Sequence, residues 1–160
     1  AKEQVKSVSE VVREGIQDVR GSLNRLRPGA LEGRTLKDAL EKMIREYQTL
    51  SNLQVDLHYE WVDVDMDVMI EDTIFRVIQE SMTNAVRHGH ASQMSLHFFE
   101  DEEDYLIELQ DNGVGFETLT YGYGLKQMME RISILGGQLQ FESRDGFFTR
   151  VSLPKYKEGR

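Results

Sequence analysis

The sequence predicts a two-layer α/β sandwich with a mixed sheet, preceded by a coiled-coil-type helix. Three observations carry that reading. Segments with apolar residues every three or four positions are interspersed with segments in which every second residue is apolar. The alternating segments have one apolar face each, so an amphipathic helical layer must cover them. The opening segment carries a narrow heptad-like seam for which no second long heptad helix follows.

In residues 1–27 the seam is Val5, Val8, Val12, Ile16, Val19, Leu23 and Leu26. The remaining surface is charged or small and polar, which suits a helix that packs on another helix. Pro28-Gly29 ends it. A second helix is predicted over 35–51, with Leu36, Leu40, Met43, Ile44, Tyr47 and Leu50 inward and Thr35 with Asp38 as a capping box. Residues 53–59 alternate as a half-buried strand. An acidic stretch, 63–67, leads into a long helix ending near His88, with Ile70, Ile74, Val77, Ile78, Met82 and Ala85 as its stripe. Strands follow at 93–100 and 105–111, then a loop over 112–123 and a helix over 124–135. Two final strands, 138–143 and 147–153, flank the turn Arg144-Asp145-Gly146.

Composition narrows the function classes. With 28 acidic residues against 19 Lys plus Arg, the net charge of −9 argues against a nucleic-acid binder. The absence of cysteine excludes a disulfide scaffold, a thiolate zinc site and a cysteine nucleophile. No apolar run reaches the roughly 20 residues of a membrane-spanning helix. The chain starts at Ala1 and shows no signal peptide, so the expectation is a soluble piece of something larger.

Three groups of residues carry possible chemistry. On the long helix Glu80, Asn84 and Arg87 fall within an arc of about 60° beside the apolar stripe, with His88 on the edge nearest the core. An acid, an amide and a cation one turn apart suit Mg²⁺ and phosphate. A solvated face with i,i+4 pairs has the same pattern. Asp111-Asn112-Gly113-Val114-Gly115-Phe116 follows a strand directly. There a strand-end carboxylate can accept from an exocyclic amino group, and Gly113 and Gly115 allow close backbone approach. A tight turn is the plainer reading of Asp-Asn-Gly. Gly122-Tyr123-Gly124-Leu125 opens a helix whose free amides could hold an anion.

Taken together and in this order, the three groups resemble the ATP-binding catalytic domain of sensor histidine kinases, within the Bergerat or GHKL group. Glu80 to His88 resembles the N box, Asp111 to Phe116 the first glycine box and Gly122 to Leu125 the second. The stretch ending Leu26-Arg27-Pro28, the short loop between the glycine boxes, and Gly124 to Arg131 are similar to the subfamily of NarX, DesK, LiaS and VraS, which feeds NarL-type response regulators.

The resemblance implies a Bergerat fold over residues 29–160 as the ATP-binding catalytic domain. It implies that residues 1–28 are the second helix of a dimerisation and phosphotransfer hairpin, so the whole protein would be a homodimer through this helix. It further implies ATP and Mg²⁺ as cofactors, a NarL-type response regulator as partner, and a cytoplasmic location, with any membrane attachment through upstream regions. Asp111 would hold the adenine amino group and Gly113 and Gly115 would approach the base. Asn84 would hold Mg²⁺ with Glu80 nearby as the catalytic residue orienting water or metal, and Arg87 and His88 would face the phosphates. Gly122, Gly124 and Leu125 would bring a helix N-terminus to the phosphate tail. The histidines are His58, His88, His90 and His97, and none precedes an acidic residue. The phosphoacceptor histidine is therefore expected upstream of Ala1. A GHKL ATPase and an anti-sigma-type serine kinase are the alternatives; the opening helix argues against both.

Overall fold

The computed structural model describes residues 34–62, 64, 66–115 and 123–155. The heptad-like segment and the expected domain boundary at residue 28 lie outside the described residues. Three helices and five strands follow in the order α1 (Leu36–Leu50), β1 (Gln54–Tyr59), α2 (Val68–Arg87), β2 (Gln93–Glu100), β3 (Asp104–Asp111), α3 (Tyr123–Ile134), β4 (Gln138–Ser143) and β5 (Phe147–Pro154). The sheet order is β1-β2-β3-β5-β4. Only β1 and β2 pair in parallel; the other neighbours are antiparallel, so the sheet is mixed. A parallel pair needs a long crossover, and α2 supplies it.

Each element starts where the local chemistry allows. Thr35 caps α1, its hydroxyl accepting from the Asp38 amide at 3.0 Å. Asp67 does the same for α2, accepting from the Met69 amide at 2.7 Å. The tight β2–β3 connection closes on Asp101, whose carboxylate accepts from the amides of Glu103 and Asp104 at 2.9 and 2.7 Å.

The core lies between the helix layer and one face of the sheet. Leu40, Met43 and Tyr47 of α1, Ile74, Ile78 and Met82 of α2, and Leu96, Phe98, Ile107 and Val151 of the sheet are all buried in one cluster. Burying a side chain of this size contributes about 1.5–3 kcal/mol. The far end of β2 is closed by aromatics: Trp61 is buried against Tyr59, Phe98 and Tyr105, and its indole N–H donates to the Phe99 carbonyl.

Two expectations are corrected. Leu50 was expected inward but is 40% exposed, because α1 ends there and the chain turns toward β1. The buried part of α2 is also wider than its apolar stripe. Thr73, Gln79, Ser81 and Thr83 are buried beside it, while Ile70 is only half-buried. Polar residues could join because α2 is flanked by α1 and α3 as well as by the sheet. The Tyr47 hydroxyl lies 2.8 Å from that of Thr83, which donates to the Gln79 carbonyl.

The same substitution at two points of α1 separates these environments. Leu40→Ala, at a fully buried position, is expected to cost about 2–5 kcal/mol. Leu50→Ala is expected to cost about 0.5 kcal/mol or less. Urea unfolding of the two variants checks both values.

Candidate functional site

The site is built around Asp111, the last residue of β3, which is only 5% exposed. It lies on the helix-facing side of the strand with Ile107 and Leu109. A buried carboxylate needs hydrogen-bond donors. Two backbone amides supply them: Gly113 and Phe147 both donate to Oδ1, at 2.8 and 3.0 Å. Among the described residues nothing donates to Oδ2. One oxygen is thus fixed by the fold, and the other is an acceptor of set direction.

The hairpin between β4 and β5 reaches Asp111 through Gly146. With φ at 134°, this residue has a backbone that side chains rarely tolerate. A methyl group there would also run into the Asp111 carbonyl oxygen. Gly115, at φ 67°, is packed in the same way: a Cβ would stand 2.5 Å from the Ser143 hydroxyl and 2.7 Å from the Gly146 carbonyl oxygen.

A second contact joins the Asp111 loop to the end of α2. The Val114 amide donates to the Gly89 carbonyl at 3.0 Å, and a Cβ on Gly113 would lie 2.5 Å from that same oxygen. Asn112 reinforces the join. Its Oδ1 accepts from the amides of Ser92 and Gln93 at 2.8 and 2.9 Å, and its Nδ2 donates to the Ser92 hydroxyl at 2.9 Å. The small size of Gly113 and Gly115 is therefore used to pack the chain against itself, and any approach to a base is additional to that.

A third contact seats α3 on α2. A methyl group at Gly124 would run into the Glu80 carboxylate, so the first turn of α3 lies directly against that side chain. A carboxylate at a helix N-terminus is favourably placed with respect to the free amides. Leu125 follows, half-buried and packed on the core. Gly122 and Phe116 lie outside the described residues.

Asn84 is one turn beyond Glu80 and half-buried. Its backbone oxygen closes the helix by accepting from the amides of His88 and Gly89 at 2.9 and 3.0 Å. Its side-chain amide makes no hydrogen bond among the described residues, and neither do the exposed side chains of Arg87, the last helical residue, and His88, the C-cap. The structure thus brings Glu80 to Gly124 and Asp111 to Gly113, and among the described residues the side chains of Asn84, Arg87 and His88 at the end of the same helix have no hydrogen-bond partner.

Sequence reasoning placed Asn112 inside the Asp111 motif without giving it a role; it missed Gly89 and Gly146 as parts of the site, and also Thr149, a buried hydroxyl on the helix-facing side of β5 opposite Leu109. A signal existed only for Gly146, in the turn chemistry of Arg144-Asp145-Gly146. The partners of the others are distant in sequence.

The donor set fits a nucleotide with its metal. The Asp111 carboxylate can accept from an amino group, and Glu80 and Asn84 carry oxygens of the kind Mg²⁺ takes. No helix among the described residues is long and apolar enough to cross a membrane.

Comparison with known proteins agrees with this geometry. The model of the histidine kinase-, DNA gyrase B-, and HSP90-like ATPases matches residues 69–157. The signal transduction histidine-protein kinase/phosphatase UhpB of Salmonella typhimurium is 35% identical over 88% of this chain, which spans 29% of that protein. The sensor histidine kinase LiaS of Bacillus subtilis is 29% identical over 93% of the chain, which spans 42% of its length. The chain therefore spans well under half of these relatives. The histidine kinase domain of the blue-light activated histidine kinase from Erythrobacter litoralis EL346 superposes with a TM-score of 0.64 at 18% identity, covering 74% of this chain and 60% of that one. Acinetobacter baumannii histidine kinase AdeS gives 0.59 at 18% identity over 97% of this chain and 82% of its own. The fold is thus the Bergerat fold of histidine kinase ATP-binding domains, and the chain belongs to the histidine kinase-, DNA gyrase B-, and HSP90-like ATPase family.

Proposed function

We propose that this chain is the ATP-binding catalytic part of a cytoplasmic histidine kinase, which passes the γ-phosphoryl group to a histidine on a dimerisation helix for relay to a NarL-type response regulator. The observation that carries this reading is the buried Asp111, one oxygen held by two amides and the other with no donor among the described residues. In this reading Oδ2 accepts from the adenine amino group, and the Gly113–Gly115 segment lines the base. Asn84 and Glu80 hold Mg²⁺, which neutralises phosphate charge when bound. Arg87 and His88 meet the phosphate oxygens from the end of α2. Gly122, Gly124 and Leu125 turn the amides of α3 toward the phosphate tail. Residues 1–28 belong to the dimerisation hairpin and residues 29–160 to the catalytic domain.

Catalysis then rests on positioning more than on covalent participation of this domain. An imidazole nitrogen of the acceptor forms the P–N bond as the bond from the γ-phosphorus to the bridging oxygen breaks and ADP leaves. The proton that the acceptor gives up goes to a base beside it on its own segment, and Glu80 stays with the metal. The acceptor itself comes from another segment. His58 and His97 are held in β1 and β2, and His88 and His90 lie at the end of α2, so none of these can travel as a helix-borne acceptor would.

Asp111→Asn tests the adenine contact. The amides of Gly113 and Phe147 orient the new side chain with its oxygen toward them. Its NH₂ then meets the adenine amino group, donor against donor. ATP affinity is expected to fall roughly 10- to 100-fold, the worth of a hydrogen bond to a charged group. Calorimetry showing unchanged affinity in a folded variant overturns the assignment.

Asn84→Ala tests the metal site. Mg²⁺ is expected to raise ATP affinity in the parent chain and to have little effect in the variant. Titrations with and without Mg²⁺ decide this.

Incubated alone with Mg²⁺ and γ-labelled ATP, the chain is expected to bind nucleotide without gaining acid-labile label. Label on the chain contradicts an acceptor supplied from elsewhere. Steady phosphate release without any acceptor supports an ATPase in its place.

A further inference from the structure

The face of the sheet that carries no helices holds a second group of ligating side chains. His58 on β1 and His97 on β2 are direct partners in the parallel register, so they project side by side from that face. Glu60 lies just past β1. Its amide donates to the Phe98 carbonyl at 2.8 Å and so extends the ladder, which puts its side chain on the same face as His58, two residues earlier. The Nε2 atoms of both histidines converge on Glu60 Oε2: His58 at 3.2 Å, His97 in a short hydrogen bond. One ligand atom from each of the three residues can be chosen such that all lie within 4.8 Å of one another.

A surface ion pair needs one imidazole. Two imidazole nitrogens beside one carboxylate oxygen bring three donor atoms within reach of a single cation. The sheet fixes most of it in advance. The histidine backbones are held by the β1–β2 ladder, and the His97 ring stacks on Phe99 with centroids 4.5 Å apart. The nearby charges are mixed. Asp56 lies two residues before His58 on the same face of β1, and Glu108, opposite His97 on β3, is 3.3 Å from Arg150.

We infer that His58, Glu60 and His97 form a binding site for one divalent transition cation of the Zn²⁺ type, on the sheet face opposite Asp111. Two imidazoles and a carboxylate suit Zn²⁺, with water in the remaining position. The same donors do not suit Mg²⁺, which prefers oxygen ligands. The site is separated from Glu80 and Asn84 by the sheet itself, so the two metals do not share ligands.

The test uses the metal-free chain without a polyhistidine tag, titrated with Zn²⁺ against a chromophoric chelator in excess Mg²⁺. One Zn²⁺ per chain is expected. His58→Gln, His97→Gln and Glu60→Gln should each weaken binding by about tenfold or more, and the double histidine variant should abolish it. All three side chains are at least 39% exposed, so these substitutions leave the core untouched. ATP affinity of the double variant should match the parent, which also verifies its fold. A His88→Gln/His90→Gln variant should retain the metal. The inference is overturned if no Zn²⁺ binds, if the double variant binds as tightly as the parent, or if binding is lost with His88 and His90 instead.

Discussion

The two hydrogen bonds that backbone amides donate to Asp111 Oδ1 hold this end of the molecule in register. One comes from Gly113, two residues on in the same loop, and the other from Phe147, the first residue of β5. The carboxylate therefore fastens a loop and a hairpin to the end of a central strand while satisfying its own burial. Two further features depend on this. Gly146 has no side chain because the Asp111 carbonyl lies where one would be, and Gly115 has none because Gly146 and Ser143 lie against it. Removing the charge, the hairpin or either glycine would disturb the same few atoms.

The two joins to α2 extend that constraint to the helix layer. Gly89 receives the Val114 amide just past the helix, and Glu80 supports the first turn of α3. One helix thus positions both glycine-rich segments, one at its C-terminal end and one two turns earlier. Asn84 and Arg87, the residues between those two supports, have their side chains uncommitted among the described residues. A rigid frame around uncommitted polar groups is what a binding site requires.

Much of this was readable in the sequence, for identifiable reasons. The elements were, because apolar spacing is a local signal: the strand over 93–100 and the hairpin strands come out with their observed bounds or within a residue of them. Asp111, Glu80 and Asn84 were, because each sits in a short motif. The closing contacts were not. Gly89 meets Gly113 and Val114, and Asp111 meets Gly146 and Phe147, across more than twenty and more than thirty residues of chain. No periodicity encodes such pairs. The burial of Gln79, Ser81 and Thr83 was hidden for a related reason: a helix flanked on several sides can bury polar side chains that a one-stripe reading assigns to solvent. The pairing of His58 with His97 depends on the strand order, which alternation alone does not specify.

Trp61 gives the molecule an optical asymmetry. It is the sole tryptophan of the chain, and its indole is packed where β2 ends and β3 begins. Asp111 is at the opposite end of β3, six residues or about 20 Å along the strand from Tyr105. Tryptophan emission therefore samples the aromatic corner, at the far end of β3 from Asp111. A quenching ion held next to Glu60 would dim it, and loss of the core would shift it to the red.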